Sequence, residues 1–510
     1  MQNLLTHKIP GEMVHGFFVD GNDLYANIAY KNDIAALSYL SLVKKVNKHI
    51  NISWLPLEEL TDIRQQAMSS QGSNVTVNIV KNSDVEDYAI ELFKSAKAKN
   101  SSDIHILYEI NKARIMYREG NGDVVVQRQL DPSFCIRLMA VIFQTMSQDQ
   151  NSSTFTTNNR LDAKINNPEY LPKDVAGVRV HSEPLACKLG SGCKMVLRLL
   201  YEIILGDEPL EQILKSSGYS ENSVKDIMEM VMKPGACFLS GPTGSGKSTT
   251  LDKIVGKMKK DVFPFKEFLS IEDPPEYPIP EIRQVAINEI DPKKKAEAMR
   301  QALAGALRSD PDVLILGEVR TPEAATMAFS SVDTGHGLWT TIHASSSFGV
   351  ITRLVGLLAR DNIYTKDMVC DPRLLSGIIY QRLVPRLCDH CKINMVEHIK
   401  KTKGNTSKIT EKVLSDLKEL IPDKLENVYL SGGGCEHCLR GSSGRIICAE
   451  TILCDQPFFN FVKEGENVTA IEYWKSKLGG KTYIEHAVEH IANGLCDPLE
   501  TTISLKVNLK

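Results

Sequence analysis

Three groups of residues have types and spacings that could do chemistry. The first is Gly241-Pro242-Thr243-Gly244-Ser245-Gly246-Lys247-Ser248-Thr249. It follows the apolar run Ala236-Cys237-Phe238-Leu239-Ser240 and leads into Thr250-Leu251-Asp252-Lys253-Ile254-Val255, which can open a helix. Strand, glycine-rich turn and helix in that order form a phosphate cradle. Glycines let backbone N–H groups turn toward anionic oxygens, and the helix N-terminus adds positive charge. Lys247 would reach the β- and γ-phosphates of ATP, and the Ser248 hydroxyl would hold Mg2+. A chance glycine-rich turn would lack the flanking strand and helix.

The second group is acidic. Val313-Leu314-Ile315-Leu316 is an apolar strand that runs into Gly317-Glu318-Val319-Arg320. A carboxylate at such a strand end, downstream of a phosphate cradle, is placed to orient or deprotonate an attacking water, so Glu318 is the candidate base. Glu272-Asp273-Pro274-Pro275-Glu276 clusters three further carboxylates at another strand end, and the prolines restrict the backbone there. A role near Mg2+ and a plain acidic turn are both compatible with that stretch. The third group is Cys388-Asp389-His390-Cys391 and Cys435-Glu436-His437-Cys438. Two C-x2-C knuckles supply four thiolates, the set that closes a tetrahedral structural Zn2+ site, and a lone redox pair would not explain the second knuckle. Gly432-Gly433-Gly434 lets the chain turn tightly before the second knuckle. The other eight of the twelve cysteines are scattered and read as small buried hydrophobes.

The elements that must position these groups follow from periodicity. Ala236–Ser240, Phe268–Glu272, Val313–Leu316 and Leu338–Ile342 are predicted strands separated by helical segments, which implies an α/β fold with a parallel sheet. Residues 213–510 form this domain, with 387–440 as the zinc-binding module and helices at the end; Ile484, Ala487, Val488, His490 and Ile491 form a packed helical face. Residues 204–212 read as a linker, with Gly206-Asp207-Glu208-Pro209 equally readable as a helix start. Upstream, a helix starts near Ser83, where Ser83 and Glu86 have capping-box spacing. Ser102–Tyr108, Arg114–Arg118 and Val124–Val126 alternate like strands, with residues 119–123 as a hairpin turn. Residues 83–203 are therefore a small α+β domain, and residues 1–80 carry no readable motif.

The 510 residues are enough for two to four domains. A net charge of −3 gives no electrostatic footprint for nucleic acid, which sets aside a zinc-ribbon helicase. The run Lys293-Lys294-Lys295 reads as a solvated face. No secretory signal and no spanning apolar stretch are apparent, which predicts a cytoplasmic protein that reaches a membrane only through a partner.

The order of motifs resembles the secretion ATPase superfamily, which powers type II secretion, type IV pili and type IV secretion. The resemblance rests on the phosphate cradle, Ile271-Glu272-Asp273-Pro274, Leu307-Arg308-Ser309-Asp310-Pro311-Asp312 with Gly317-Glu318-Val319-Arg320, and Thr334-Gly335-His336 with Thr341-Ile342-His343-Ala344. It implies a RecA-like P-loop ATPase core with a smaller PAS-like N-terminal domain. It also implies an Asp box at Glu272–Pro274, a Walker B glutamate at Glu318, and a His box carrying His336 and His343, with His343 near the γ-phosphate. Ser102-Asp103-Ile104-His105-Ile106 looks like the family's N-terminal strand motif. Gly177–Ser182 and Val196–Leu200 resemble segments whose arginines face the nucleotide, naming Arg179 and Arg198 ahead of Arg118 and Arg160. The resemblance further implies a homo-hexamer acting on an inner-membrane platform protein and the pilus machinery. Thr321-Pro322 departs from the family's usual Asp, and the stretch around His343 leans toward the type IV secretion branch. The knuckles resemble the assembly and type II secretion branches instead. A pilus-assembly motor, of a type IVb or conjugative thin pilus, comes first on this reading, and a type II secretion motor is the alternative.

Overall fold

The computed structural model describes residues 17–510 apart from 21–22, 32, 47–48, 57–58, 61–81, 100, 110, 119–123, 149, 188–189, 203–204, 274, 276–277, 288, 290–291, 360–363, 402–408 and 439. The expected turn at 119–123, and Pro274 and Glu276 of the acidic stretch, lie outside the described residues, as does the Ser83 side chain. The chain divides into two compact units, Met1–Glu202 and Ile203–Lys510.

The first unit opens with a small sheet of β1 (Phe17–Asp20), β2 (Asp23–Asn27) and β3 (Asn51–Leu55), with helix Ile34–Val46 between the last two. Its larger sheet contains β4 (Asp103–Glu109), β5 (Lys112–Arg118), β6 (Val124–Leu130), β7 (Leu161–Ile165), β8 (Val175–Cys187) and β9 (Gly190–Tyr201). The order is β6-β5-β4-β9-β8-β7, and all the pairs are antiparallel. Strict alternation explains why one face is open. Ile104, Ile106, Ile115, Tyr117, Val178, Val180, Leu197 and Leu199 are buried against helices Asn82–Ala98 and Pro132–Val141. Their neighbours along each strand point the other way. Asp131 caps the second helix by accepting from Ser133 N and Phe134 N.

The second unit is a RecA-like mixed α/β core. Its strands are β10 (Ala236–Ser240), β11 (Phe268–Glu272), β12 (Arg283–Ala286), β13 (Val313–Leu316), β14 (Gly337–Ile342) and β15 (Leu375–Leu387), followed by β16 (Ile393–Asn394), β17 (Tyr429–Leu430) and β18 (Ser442–Leu453). Seven of them form one sheet in the order β12-β11-β13-β14-β10-β15-β18, parallel except for the last pair. The sheet is buried on both faces, so its strands read as continuous apolar runs rather than alternating ones. Phe238 packs toward Phe329 on one side, while Cys237 and Leu239 join Leu251, Ile254 and Trp339 on the other. Each such ring or branched side chain contributes about 1.5–3 kcal/mol through burial. Among the described residues, no helix is long and apolar enough to cross a membrane.

After Gly206–Pro209 the helix-start reading holds: Pro209 is the N-cap of helix Leu210–Ser217, Leu210 is buried, and the Lys257 ammonium donates to the Gly206 carbonyl. The strand around residue 338 begins one residue earlier, at Gly337. At the end of the chain Ala487, Val488, His490 and Ile491 are buried as expected, with Ile484 half-buried. Seven of the eight scattered cysteines are buried, and Cys187 is half-buried. Glu450 on β18 ties two helices together. Its buried carboxylate accepts from Ser347 N and Oγ at one helix N-terminus and from Tyr483 N at another. Both helix dipoles present their positive ends to it, so the carboxylate serves as a shared N-terminal cap.

Candidate active site and cysteine cluster

The parallel sheet delivers the candidate residues to one edge. β11, β13, β14 and β10 are consecutive neighbours, and the acidic stretch, Glu318, His343 and the glycine-rich turn follow their respective C-terminal ends. This is where ligands bind in open α/β sheets, because the strand-to-helix turns there present loops and helix N-termini.

The turn after β10 depends on its glycines. Gly241, Gly244 and Gly246 have φ values of 149°, 79° and 82°, a region that side-chain-bearing residues avoid. Gly246 is the N-cap of helix Lys247–Lys257, so Lys247 and Ser248 occupy its first turn. Pro242, Thr243, Gly244, Ser248 and Thr249 are exposed; Ser245 and Lys247 are buried. The Lys247 ammonium donates to the carbonyls of Gly241 at 2.8 Å and Pro242 at 3.1 Å. Burial lowers its pKa, and the Glu318 carboxylate partly restores it. An exposed Ser248 hydroxyl beside that lysine fits the donor Mg2+ requires.

Glu318 stands between two partners. Arg320 Nη2 donates to its Oε2 at 2.7 Å, and His343 Nε2 lies 3.4 Å from its Oε1. The Arg320 guanidinium is held above its ordinary pKa by that carboxylate. The two strand ends are locked to each other, since Val319 N donates to Thr341 O at 2.8 Å and Thr341 Oγ1 to Gly317 O at 2.7 Å. Glu272 sits beside Gly317, where a Cβ would meet its Cγ at 3.4 Å. Its Oε1 accepts from Ser270 at 2.6 Å and Gln284 at 2.8 Å. Asp273 pairs with Lys295 at 2.6 Å, so part of the basic run expected to be only a solvated face is an ion-pair partner of the acidic stretch.

His336 is not part of this group. It lies before β14, whereas His343 follows it, so the length of the strand separates the two histidines of the expected box. His336 Nδ1 is within 3.0 Å of Ser331 O and of Thr334 Oγ1, which makes it a packed turn residue. Arg320 and Lys295 were missed as partners. Gln381 was missed altogether: it is fully buried on β15, and its Nε2 donates to Ser245 O at 2.7 Å and Thr250 Oγ1 at 3.2 Å. Its polar side chain directly after the apolar run Ile378-Ile379-Tyr380 was the available signal.

Arg179 and Arg198 belong to the first unit. They are directly paired on β8 and β9, and the row continues across the sheet as Arg118, Asp103, Arg198, Arg179 and Lys164. Directly opposed residues share a face, so five strands place four cations and one carboxylate in a line on the open side. Asp103 is buried and accepts from Arg198 Nε at 2.9 Å, from Ser102 Oγ at 2.8 Å, and pairs with Arg118 at 3.5 Å. His105, on the same face, has its pKa lowered by burial and then by Lys194 and Arg118. Arg160 precedes β7 and lies outside this row.

The four knuckle cysteines converge. Their Sγ atoms all lie within 4.8 Å of one another, with separations of 3.8 Å for Cys388–Cys435, 3.5 Å for Cys391–Cys438 and 3.7 Å for Cys435–Cys438. Tetrahedral Zn–S bonds of about 2.3 Å require sulfurs about 3.8 Å apart, so the cluster could chelate that metal. Gly432 allows the knuckles to approach, because a Cβ there would stand 1.7 Å from the Cys391 carbonyl oxygen. His390 and His437 stack on each other at 4.1 Å and are not needed as ligands.

Residues 79–502 match the family described as "Type II/IV secretion system protein". Among curated relatives, the type IV pilus assembly ATPase PilB of Thermus thermophilus is 31% identical over 307 residues, which are 60% of this chain and 31% of that protein. Type II secretion system protein E of Pseudomonas aeruginosa is 32% identical over 302 residues, 58% of this chain and 53% of that protein. The chain thus spans about half, or less, of the length of these relatives. The ATPase DotB of Legionella pneumophila shares the fold with a TM-score of 0.55 at 18% identity, over 82% of this chain and 95% of that one.

Proposed function

The chain belongs to the Type II/IV secretion system protein family, and on that premise we propose that it is a motor that hydrolyses Mg-ATP to drive a membrane-associated secretion or pilus machine. The carrying observation is the arrangement at the sheet edge: the glycine-rich turn and Lys247 on one strand end, with Glu318 beside His343 on the next two. In this reading the backbone N–H groups of Gly241–Lys247 cradle the phosphates, and Ser248, Thr249 and the Glu272 stretch complete the nucleotide and Mg2+ site. Mg2+, when bound, neutralises charge on the phosphate oxygens. Glu318 orients the water that attacks the γ-phosphorus in line and accepts its proton as the bond to ADP breaks. His343 and Arg320 hold that carboxylate.

Arg179 and Arg198 are proposed to supply cationic charge to the γ-phosphate within a homo-hexamer. The cross-strand row supports this. Like charges directly opposed on a sheet are destabilising, so a row of cations answered by one carboxylate suits an anionic partner. The two antiparallel meanders with helices on one face support a PAS-like reading of residues 83–203. The four cysteines are proposed to hold a structural Zn2+, which closes the ends of the chain that meet there. Metal analysis of the purified protein is then expected to return about one zinc per chain.

Type II secretion is the better-supported of the two machines. The type II relative matches at slightly higher identity and over a larger share of its own length than the pilus relative does. This reverses the order in which the motif resemblance put them. The motor would work in the cytoplasm against an inner-membrane platform protein. The test has two stages. Purified protein should hydrolyse Mg-ATP, and Glu318→Gln should retain nucleotide binding with turnover lowered about 10²-fold. Cells carrying Glu318→Gln should then lose a secreted enzyme; loss of surface pili instead would return the assignment to pilus assembly, and excess pili would mean retraction.

A further inference from the structure

Gln381 has every hydrogen-bonding group of its side chain engaged while fully buried. Its two N–H donors go to Ser245 O and Thr250 Oγ1, and its Oε1 accepts from the Tyr219 hydroxyl. A carbonyl oxygen can only accept, so the bond to Ser245 O fixes which end of the amide is the NH2. The main chain of the same residue is equally close to the turn: a Cβ at Gly241 would lie 2.3 Å from the Gln381 carbonyl oxygen. Strand register explains the proximity. β10 and β15 are parallel with Ser240 opposite Tyr380, so the next residue on each strand is Gly241 and Gln381.

The Ser245–Gly246 peptide is planar and trans, so its C=O and N–H point in opposite directions. A donor that fixes Ser245 O on the β15 side therefore fixes Gly246 N–H on the other side. Gly246, on one side of this peptide, and Gly244, before Ser245, both have positive φ and little intrinsic preference for one conformation. We propose that Gln381 is a positioning residue of the phosphate site, aiming the Gly246 N–H at the bound phosphate, with Tyr219 holding the amide in place. This rests on the nucleotide-hydrolysis reading above. Tyr219 is suited to the task because its burial raises the phenol's pKa and keeps it a neutral donor.

The test uses the full chain with Gln381→Met, which conserves volume and removes both donors, and Tyr219→Phe, which leaves the amide present and removes its anchor. Steady-state hydrolysis and the thermal shift induced by MgADP are measured for each. Gln381→Met is expected to raise the KM for ATP about tenfold with kcat within about threefold, the size of one or two lost hydrogen bonds. The MgADP-induced shift should shrink in parallel, and Tyr219→Phe should move both readouts in the same direction by about threefold. A purely structural role would lower the thermal midpoint without nucleotide and leave KM unchanged, and that result overturns the proposal. If Gln381→Met does not fold, the KM of Tyr219→Phe decides: a value equal to wild type overturns it. A wild-type chain that binds no MgADP overturns the hydrolysis reading and this one with it. A wild-type chain that binds while both variants match it overturns this one alone.

Discussion

In the second unit the candidate phosphate site is made of backbone: glycines with positive φ, a helix N-terminus, and one lysine folded onto two carbonyls. In the first unit the basic row is made of side chains, one from each of five antiparallel strands, with Asp103 as the acid within it. The first design fixes its donors before anything binds, because the fold itself sets the peptide planes. The second carries guanidiniums on long side chains, two of which, Arg118 and Arg198, pair with one buried carboxylate. On the proposed reading, a cradle of backbone amides suits phosphates held through a whole cycle. A row of arginines suits charge that has to be met and then released.

Variants can break or sharpen this contrast. Lys247→Ala should have the largest effect, a loss of about 10³-fold in ATP turnover, since it removes the cation aimed at the developing charge. Unchanged turnover would sink the assignment of the glycine-rich turn. Glu318→Gln should reduce turnover about 10²-fold while MgADP affinity, read by calorimetry, stays near wild type. Arg198→Ala should cost about tenfold in kcat, less than a lone arginine finger because Arg179 stands opposite. If its only effect is on the thermal midpoint, the row is a brace and the contrast between the units disappears. Asp103→Asn should be mildest, costing about 1 kcal/mol of stability by denaturant titration, because both arginines it serves remain partly in water. A kinetic effect larger than that of Arg198→Ala would reassign the acid from support to chemistry.

The same contrast explains what could be read from the sequence. Gly241–Thr249 is one contiguous word whose chemistry is local, and the strands before Gly241 and Glu318 are apolar runs too short and too well bounded to misplace. Convergence of Glu318 with His343 was implied only by motif order, since the strands that bring them together are neighbours in space and not in sequence. The row from Arg118 to Lys164 was less legible still. It requires the register of five strands, and a shift of one residue in any of them would turn its side chain to the other face. Gln381 escaped for a different reason. One polar residue inside a buried strand has no periodic signature, and its partners Tyr219, Ser245 and Thr250 come from other segments. His336 was paired with His343 because they share a motif, although a strand's length divides them.

The hairpin of β15 and β18 has an unusual end. Its strands do not meet in a turn: the chain leaves after Leu387, builds the module containing β16 and β17, and returns at Ser442, with Cys388 N donating to Gly441 O at 2.8 Å where the two paths cross. The four clustered cysteines stand at that crossing, where a turn would otherwise be. What lies beyond them is not hung from the strand pair but built into it: Met395, Val413, Leu417 and Leu430 share one core with Val384 of β15, Ile446 of β18 and Ile491. Truncating that core would therefore be felt along the same strand that carries Gln381.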